Sequence, residues 1–279
     1  MSSSARPARH HYVPQFILRR FADDATGKVG SFDKTTRRFS YVGVRTAAQG
    51  ADFNKDSLGD ETVERLLGRE VETPAAAVVK KLVEGQSPTE LQQDEVVALR
   101  RLMVVQLVRG TRQRRVNTSM TRSSADLIEL GGLEFDVHGD LTQDSQLRVV
   151  RSLLRGWHLL GCARWNLQLL SVSGDDDDGI LVPDQGIVVF HPDLAVQGWT
   201  DASIDEMSCL YMPISPRYVL VLVNPSFQRP IAVPDLRQAL GLVYGQADQF
   251  IYGRMSDTTR DYLQAMVLPE TPGEEAAIP

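Results

Sequence analysis

Residues 10–21 read HHYVPQFILRRF and set two adjacent histidines, a proline and two arginines inside an otherwise apolar run near the start of the chain. Apolar residues on both sides of Pro14 predict a segment that docks into the core, with the proline fixing a bend in it. Histidine titrates near neutral pH and can act as a general base or a metal ligand. We therefore expect His10 and His11 to serve a functional site as well as the fold.

The composition is that of a globular protein with one large core. The chain has 279 residues, of which 42% are hydrophobic and 24% charged, as in ordinary soluble domains. We expect a single domain over residues 1–268 and a disordered tail over 269–279, which is polar and punctuated by proline. No apolar signal segment opens the chain, and its longest apolar runs are too short to span a bilayer, so a cytoplasmic protein without a membrane partner is predicted.

Charge is distributed unevenly along the chain. The net charge is -6, yet residues 1–22 carry +4 and residues 96–125 carry +7 with no acid in either segment, which leaves -17 for the rest. Arginine forks match phosphate and carboxylate oxygens, so the two segments predict a localised anion site. The alternative is that these arginines pair with acids elsewhere in the fold.

The periodicity of the sequence predicts an α+β fold. Aromatic or aliphatic residues that alternate with polar ones around a DKTT turn indicate a small hairpin over 28–44. Three- and four-residue spacing of apolar residues indicates helices over about 58–161, and short β-rich runs indicate a mainly antiparallel sheet over about 163–225. Two C-terminal helices are expected at about 234–249 and 256–267. The prediction is thus a helical N-terminal half with a small N-terminal hairpin, a mainly antiparallel sheet in the C-terminal half, and C-terminal helices.

The opening stretch resembles the N-terminal signature of DUF4238, a bacterial family of unknown function whose members begin with a His-(His/Asn)-Tyr-Val-Pro-Gln-Phe run. Weaker likenesses follow in the family's order: spaced acids at Glu64 and Glu70, a Gln-x-x-Arg pair at Gln106 and Arg109, and a Pro-Ile-Ser-Pro run at 213–216. The family usually carries a Ser-Asp-Asn-Pro run before this last motif. Residues 183–186 read Pro-Asp-Gln-Gly instead, so only Asp184 of that run is kept. The resemblance implies a set of positions and no reaction.

Paired histidines before a valine and a proline are also similar to the first element of the HNH nucleases. In that chemistry one histidine activates water and a neighbouring residue binds a divalent metal. His10 and His11 are accordingly candidate catalytic residues, and with Glu64 and Glu70 they are candidate ligands of a divalent metal. Asn54 is available as the downstream asparagine, but no further histidine follows before His138.

In a second interpretation, His10 or His11 belongs to a site for a phosphate-bearing ligand that contains no metal ion. Gln106 falls on the apolar stripe of the longest predicted helix, where a polar side chain is costly unless it is hydrogen-bonded. Arg109 lies about one turn further along. The pair either binds a phosphate-bearing ligand or forms a buried strut that holds the N-terminal segment to the helix. The candidate ligand-binding residues are Arg19, Arg20, Gln106, Arg109, Arg112 and Asp184.

Three possibilities remain open from the sequence. The first is a metal-dependent hydrolase or nuclease-like enzyme that acts on a phosphate-containing substrate through the two histidines. The second is a non-catalytic module that binds a nucleotide, a nucleic acid or a protein through the arginine-rich helix. The third is a purely structural partner protein, which would show neither turnover nor this binding.

Overall fold

The computed structural model describes residues 9–51, 62–110, 147, 150–152, 154–159, 161–172, 179–190, 209–226 and 236–266. This part of the chain combines helices with antiparallel sheets, which confirms the α+β class. Buried side chains from 12 to 252 form one large apolar cluster, and a second cluster packs between the C-terminal strands and helices. The predicted boundary of a single domain at residue 268 and the predicted tail fall on residues outside the described part.

The opening stretch forms a strand, a turn and a helix. Strand β1 (Arg9–His11) pairs antiparallel with β4 (Gln49–Ala51). The strand ends at His11, and Pro14, with φ -55° and ψ 131°, precedes helix α1 (Gln15–Phe21) and accepts the helix's first hydrogen bonds through its carbonyl. The predicted bend at Pro14 is therefore present, although the residues after it are helical. Helix α1 docks through its buried face, which consists of Ile17, Leu18 and Phe21.

The predicted hairpin belongs to a larger sheet. Its strands β2 (Lys28–Asp33) and β3 (Arg38–Gly43) pair antiparallel, and Asp33 Oδ1 accepts the backbone N–H groups of Thr35 and Thr36 in the turn. Strand β10 (Phe250–Gly253) then pairs with β2, and β6 (Val182–Pro183) pairs with β10. The sheet therefore unites strands from the two ends of the chain, in the order β3-β2-β10-β6.

A second four-stranded sheet consists of β5 (Asn166–Ser171), β7 (Val188–Phe190), β8 (Cys209–Pro213) and β9 (Tyr218–Val223). It is antiparallel throughout and has the order β5-β9-β8-β7. All residues of β8 are buried, as continuous apolar runs predict for strands covered on both faces. All four strands fall in segments for which the sequence predicts strands.

The helices follow in chain order. Helix α2 (Thr62–Leu66) continues through a π-helical segment (Leu67–Glu72) into α3 (Thr73–Val83). Helix α4 (Gln93–Arg109) packs on α3, and it begins after a separate 3₁₀ turn (Pro88–Glu90). Two later helices, α5 (Leu236–Gln246) and α6 (Asp257–Ala265), match the two predicted C-terminal helices.

The division of the chain into a helical and a sheet-forming half is not what the structure shows. Strands β1 to β4 lie in the first 51 residues, and helices α5 and α6 follow the strand-rich segment. The physical reason is that the N-terminal hairpin completes its sheet with β10, so the sheets are spread across the chain. No helix of the described residues combines the length and apolar character that membrane crossing requires.

Candidate functional site

An open pocket of about 410 Å³ lies where the opening stretch meets the π-helical segment. His11, from β1, forms part of its wall. Gln15 and Arg19 follow at four-residue intervals, and these two residues project from one side of α1. The remaining lining comes from Phe16, Glu64, Gly68, Glu72, Thr73, Ala76 and Arg109. The structure thus brings His11, Glu64 and Arg109 to one pocket; Glu64 comes from the metal interpretation of the sequence and Arg109 from the second interpretation.

Hydrogen bonds fix the tautomer of His11. Arg19 Nη2 donates to Gln15 Oε1 at 2.9 Å, which turns the amide nitrogen of Gln15 toward the imidazole. That nitrogen lies 3.1 Å from His11 Nδ1, so Nδ1 is the acceptor. Nε2 therefore carries the proton and donates to the Arg45 carbonyl at 3.3 Å. The result is a relay of hydrogen bonds with one polarity, from Arg19 through Gln15 to His11.

The environment of His11 favours the neutral imidazole. Burial lowers the pKa of His11 below its ordinary value, because desolvation disfavours the imidazolium. The hydrogen bond to Arg45 and the charges of Glu64 and Glu72 oppose this effect, and Arg109 adds to it. At neutral pH, His11 thus has the protonation state that a general base needs.

Arg109 is the buried charge of the pocket. Its side chain is 2% exposed, and it forms an ion pair with Glu72 through Nη1. Nη2 donates to the His11 carbonyl and lies 3.9 Å from Glu64 Oε2. One arginine is thus placed beside two carboxylates and the backbone of β1. A buried arginine needs such partners, because an unpaired buried charge is strongly destabilising.

The π-helical segment explains why Glu72 reaches this pocket. In an α-helix, residues seven apart project from nearly the same side. The segment between Glu64 and Glu72 contains one extra residue, seen in the i→i+5 bond from Thr73 N to the Gly68 carbonyl. Glu72, eight residues after Glu64, is consequently returned to the same side. Sequence reasoning that assumed α-helical spacing had no signal for this shift.

A larger pocket of about 760 Å³ adjoins the first, and we call it the basic pocket. Phe16, Arg19 and Ala76 line both pockets. Five cationic side chains and a single acid, Asp24, contribute to the basic pocket. The cations are Arg19, Arg20, Lys80, Arg217 and Arg254. This excess of positive charge is the electrostatic pattern of an anion site.

Four elements position these cations. Arg19 and Arg20 occupy the last turn of α1, where the helix dipole favours positive charge. Lys80 lies one turn after Ala76 on α3. Arg217 belongs to the turn between β8 and β9, in which Ser215 Oγ accepts the N–H groups of residues 217 and 218. Arg254 follows β10 directly. The Pro-Ile-Ser-Pro run thus leads into this turn of the pocket wall.

The pair Gln106 and Arg109 forms the strut that the sequence left as one of two alternatives. Gln106 is 1% exposed, and its Nε2 donates to the carbonyls of Tyr12 and Gln185, each at 2.7 Å. Arg109 bonds to the carbonyl of His11, the residue before Tyr12. Helix α4 thereby holds two successive carbonyls of the opening stretch. Both amide hydrogens of Gln106 are used inside the protein.

Asp184 lies in a buried turn after β6 and has a similar internal role. Its two carboxylate oxygens accept the backbone N–H groups of Asp248, Gln249 and Phe250, at 2.7 to 3.0 Å. These bonds fix the segment that leads into β10 and, beyond it, Arg254. Asp184 therefore shapes the basic pocket from a distance, and it is not among the residues that line it.

The remaining predicted site residues are dispersed. His10 is buried in β1 opposite Gly50. Glu70 pairs with Arg101 at 2.9 Å and with Arg69, and it is not part of either pocket's lining. Arg112 and Asn54 lie outside the described residues. In the part of the chain that the structure describes, no three histidine, cysteine, aspartate or glutamate residues are grouped so as to hold a metal ion.

Sequence reasoning missed Glu72, Lys80, Arg217 and Arg254. The helical spacing of Ala76 and Lys80 would have placed these two residues on one side of α3. Arg217 and Arg254 reach the pocket from distant parts of the chain, and no local pattern joins them to Arg19. Their contribution follows only from the pairing of β10 with β2 and of β8 with β9.

Comparison with protein-family models places the chain in a family. The family model described as "Protein of unknown function (DUF4238)" matches residues 9–257. Searches of curated proteins and of solved structures returned no significant match. The matched range includes every residue that lines the two pockets.

Proposed function

Since the chain belongs to the DUF4238 family of proteins of unknown function, we propose from its own residues that it binds a phosphate-bearing ligand in the basic pocket. The observation that carries this proposal is the convergence of five cations from α1, α3, the β8–β9 turn and the end of β10. Four of them are arginines, whose planar donors match phosphate oxygens. The pocket's volume of about 760 Å³ lies in the range of small-molecule sites.

The proposal places the anion site on residues other than those of the arginine-rich helix, since no residue of α4 lines the basic pocket. Of the arginines in the segment 96–125, Arg101 and Arg109 form ion pairs with Glu70 and Glu72. These two arginines thus fit the alternative that the sequence left open, in which arginines pair with acids of the fold. Arg19 and Arg20, from the other basic segment, line the basic pocket.

Titration calorimetry with inorganic pyrophosphate tests the proposal. We expect saturable binding that weakens between 50 and 200 mM salt, because exposed charges are screened. Replacing Arg217 by glutamine should weaken binding about tenfold, since it removes a charged donor from the pocket. Arg217 is exposed, so its replacement should leave the fold intact.

Arg38→Gln is the matched control. Arg38 is an exposed residue of β3 that does not line the basic pocket, and its loss changes the net charge by the same amount. Binding that is absent in the wild type, or that weakens equally in the two variants, would overturn the proposal.

A second function, hydrolysis of a phosphate ester, is favoured by the wall that the two pockets share. Phe16, Arg19 and Ala76 line both pockets, so the basic pocket directly adjoins the pocket that contains His11. In this proposal a bound phosphoryl group is attacked by a water molecule, whose proton passes to His11 Nδ1. The new P–O bond forms as the bond to the leaving oxygen breaks, and that oxygen departs with the electron pair.

In this reaction, Gln15 must first release His11 Nδ1, because Nδ1 is the atom that accepts the proton. Nδ1 accepts from Gln15, and Gln15 is held in turn by Arg19. A phosphate that engages Arg19 competes with Gln15 for the same guanidinium. Release of Gln15 would free Nδ1 to accept a proton, so binding in the basic pocket would activate His11.

The chromogenic ester bis(p-nitrophenyl) phosphate tests the second function. Turnover should be lost in His11→Gln while pyrophosphate binding is kept. Turnover that survives in His11→Gln would remove His11 from the reaction. The metal-dependent and nuclease-like form expected from the sequence would need ligands beyond the described residues, because these contain no grouped set.

A further inference from the structure

A third pocket adjoins the basic pocket and contains an exposed aromatic ring. Its volume is about 660 Å³, and it shares Asp24 and Arg254 with the basic pocket. Tyr41 of β3 lines it and is 51% exposed. Among the described residues, the other exposed large hydrophobic side chain is Val97, which is less exposed than Tyr41, at 36%.

Tyr41 is held in place from one side. Arg260 Nη2 donates to the Tyr41 hydroxyl at 2.6 Å, and the guanidinium carbon lies 5.7 Å from the ring centroids of Phe39 and Tyr41. A cation at this distance from a ring is attracted to it. The ring therefore needs little further ordering when a ligand stacks on it.

The neighbouring strand places no side chain of its own beside the ring, and the Met255 side chain lies at that position instead. Tyr41 stands opposite Gly30 in the pairing of β2 with β3. Opposite residues of an antiparallel pair project to the same face, so a side chain at position 30 would pack beside the tyrosine. Glycine has no such side chain. A Cβ there would also lie 2.7 Å from the Gly253 carbonyl oxygen and 2.4 Å from Met255 Cγ, so this strand pairing disfavours a side chain at the position.

We infer that the phosphate-bearing ligand is a nucleotide, whose base stacks on Tyr41 while its phosphate occupies the basic pocket. This inference rests on the proposed function. Every nucleobase has a flat π-face, and stacking on an aromatic side chain is a general way to bind it. Arg254 lines both pockets, so one cation borders the base site and the phosphate site.

The position of Asp24 favours a nucleotide over inorganic phosphate as the ligand. A carboxylate in the wall of an anion pocket repels phosphate, yet Asp24 lines the basic pocket and the Tyr41 pocket alike. In a nucleotide the sugar joins the base to the phosphate. Its hydroxyl groups can donate to the Asp24 carboxylate at the wall between the two sites. The acid that is unfavourable for inorganic phosphate thus suits a ribose.

Calorimetric titrations of the full chain test the inference with defined probes. The probes are ribose 5-phosphate and the 5′-monophosphates of adenosine, guanosine, cytidine and uridine. At least one nucleotide should bind about tenfold more tightly than ribose 5-phosphate, which lacks only the base. Tyr41→Leu should abolish this difference without changing the affinity for ribose 5-phosphate. Tyr41→Phe should preserve it, since the ring remains.

The results can overturn the nucleotide inference separately from the proposed binding of phosphate in the basic pocket. Equal binding of ribose 5-phosphate and all four nucleotides, unaffected by Tyr41→Leu, would overturn the base site and leave phosphate binding intact. Failure of every probe and of pyrophosphate to bind would overturn both. A preference for nucleotides that survives in Tyr41→Leu would place the base elsewhere and overturn the role of Tyr41.

Discussion

Replacing Gln106 by leucine should destabilise the protein strongly without weakening pyrophosphate binding. The side chain is 1% exposed, and its amide nitrogen donates to the carbonyls of Tyr12 and Gln185, each at 2.7 Å. Leucine has a similar size but no donor, so both carbonyls would stay buried without this partner. An unsatisfied buried polar group costs about 1 to 3 kcal/mol. The free energy of unfolding should therefore fall by about 2 to 6 kcal/mol.

Urea denaturation followed by circular dichroism measures this change. Gln93→Leu is the matched control, because Gln93 is an exposed residue in the first turn of the same helix. The control should alter the free energy of unfolding by less than about 0.5 kcal/mol. A loss below about 1 kcal/mol in Gln106→Leu would refute the strut. Lost pyrophosphate binding in a folded Gln106→Leu protein would instead return Gln106 to the ligand site.

Three further predictions concern other parts of the site. Gly186→Ala should lower the free energy of unfolding by about 1 to 3 kcal/mol in the same urea assay, because φ is +72° and a Cβ would lie 2.7 Å from Gln106 Nε2. The pKa of His11 is lowered in the folded state, so the unfolded chain binds more protons and stability falls as pH drops below about 6.5. The loss in melting temperature between pH 7.5 and 5.5 should accordingly be smaller in His11→Gln, and an equal loss would contradict the shift. Elemental analysis should give the same metal content for the wild type and for His10→Ala/His11→Ala, since the described residues hold no ligand cluster, whereas stoichiometric metal lost in the variant would establish a histidine metal site.

The sequence predicts a large part of the fold because apolar periodicity is a local property. The hairpin over 28–44, the strands of the second sheet and the two C-terminal helices all follow from it. Strand β10 was not predicted, because four residues ending in glycine carry little periodic signal. That strand joins the two ends of the chain in one sheet, which is why the predicted division into halves fails.

For the candidate site too, a local sequence pattern predicts some residues and not others. Gln106 could be singled out because a polar residue on an apolar stripe needs an internal partner, and the structure supplies two. Glu72 could not be singled out, because a π-helical turn changes which residues lie on the same side of the helix. Arg217 and Arg254 enter the basic pocket through long-range strand pairing, and local sequence patterns hold no information on such contacts.

The most direct test of the account is to locate a bound phosphate analogue. Crystals of the wild-type protein soaked in tungstate would give an anomalous signal from an oxyanion that resembles phosphate. The account predicts a peak in the basic pocket, within hydrogen-bonding reach of guanidinium groups from Arg20, Arg217 or Arg254. A peak bound by other residues, or none at concentrations that compete with pyrophosphate in solution, would contradict the central claim.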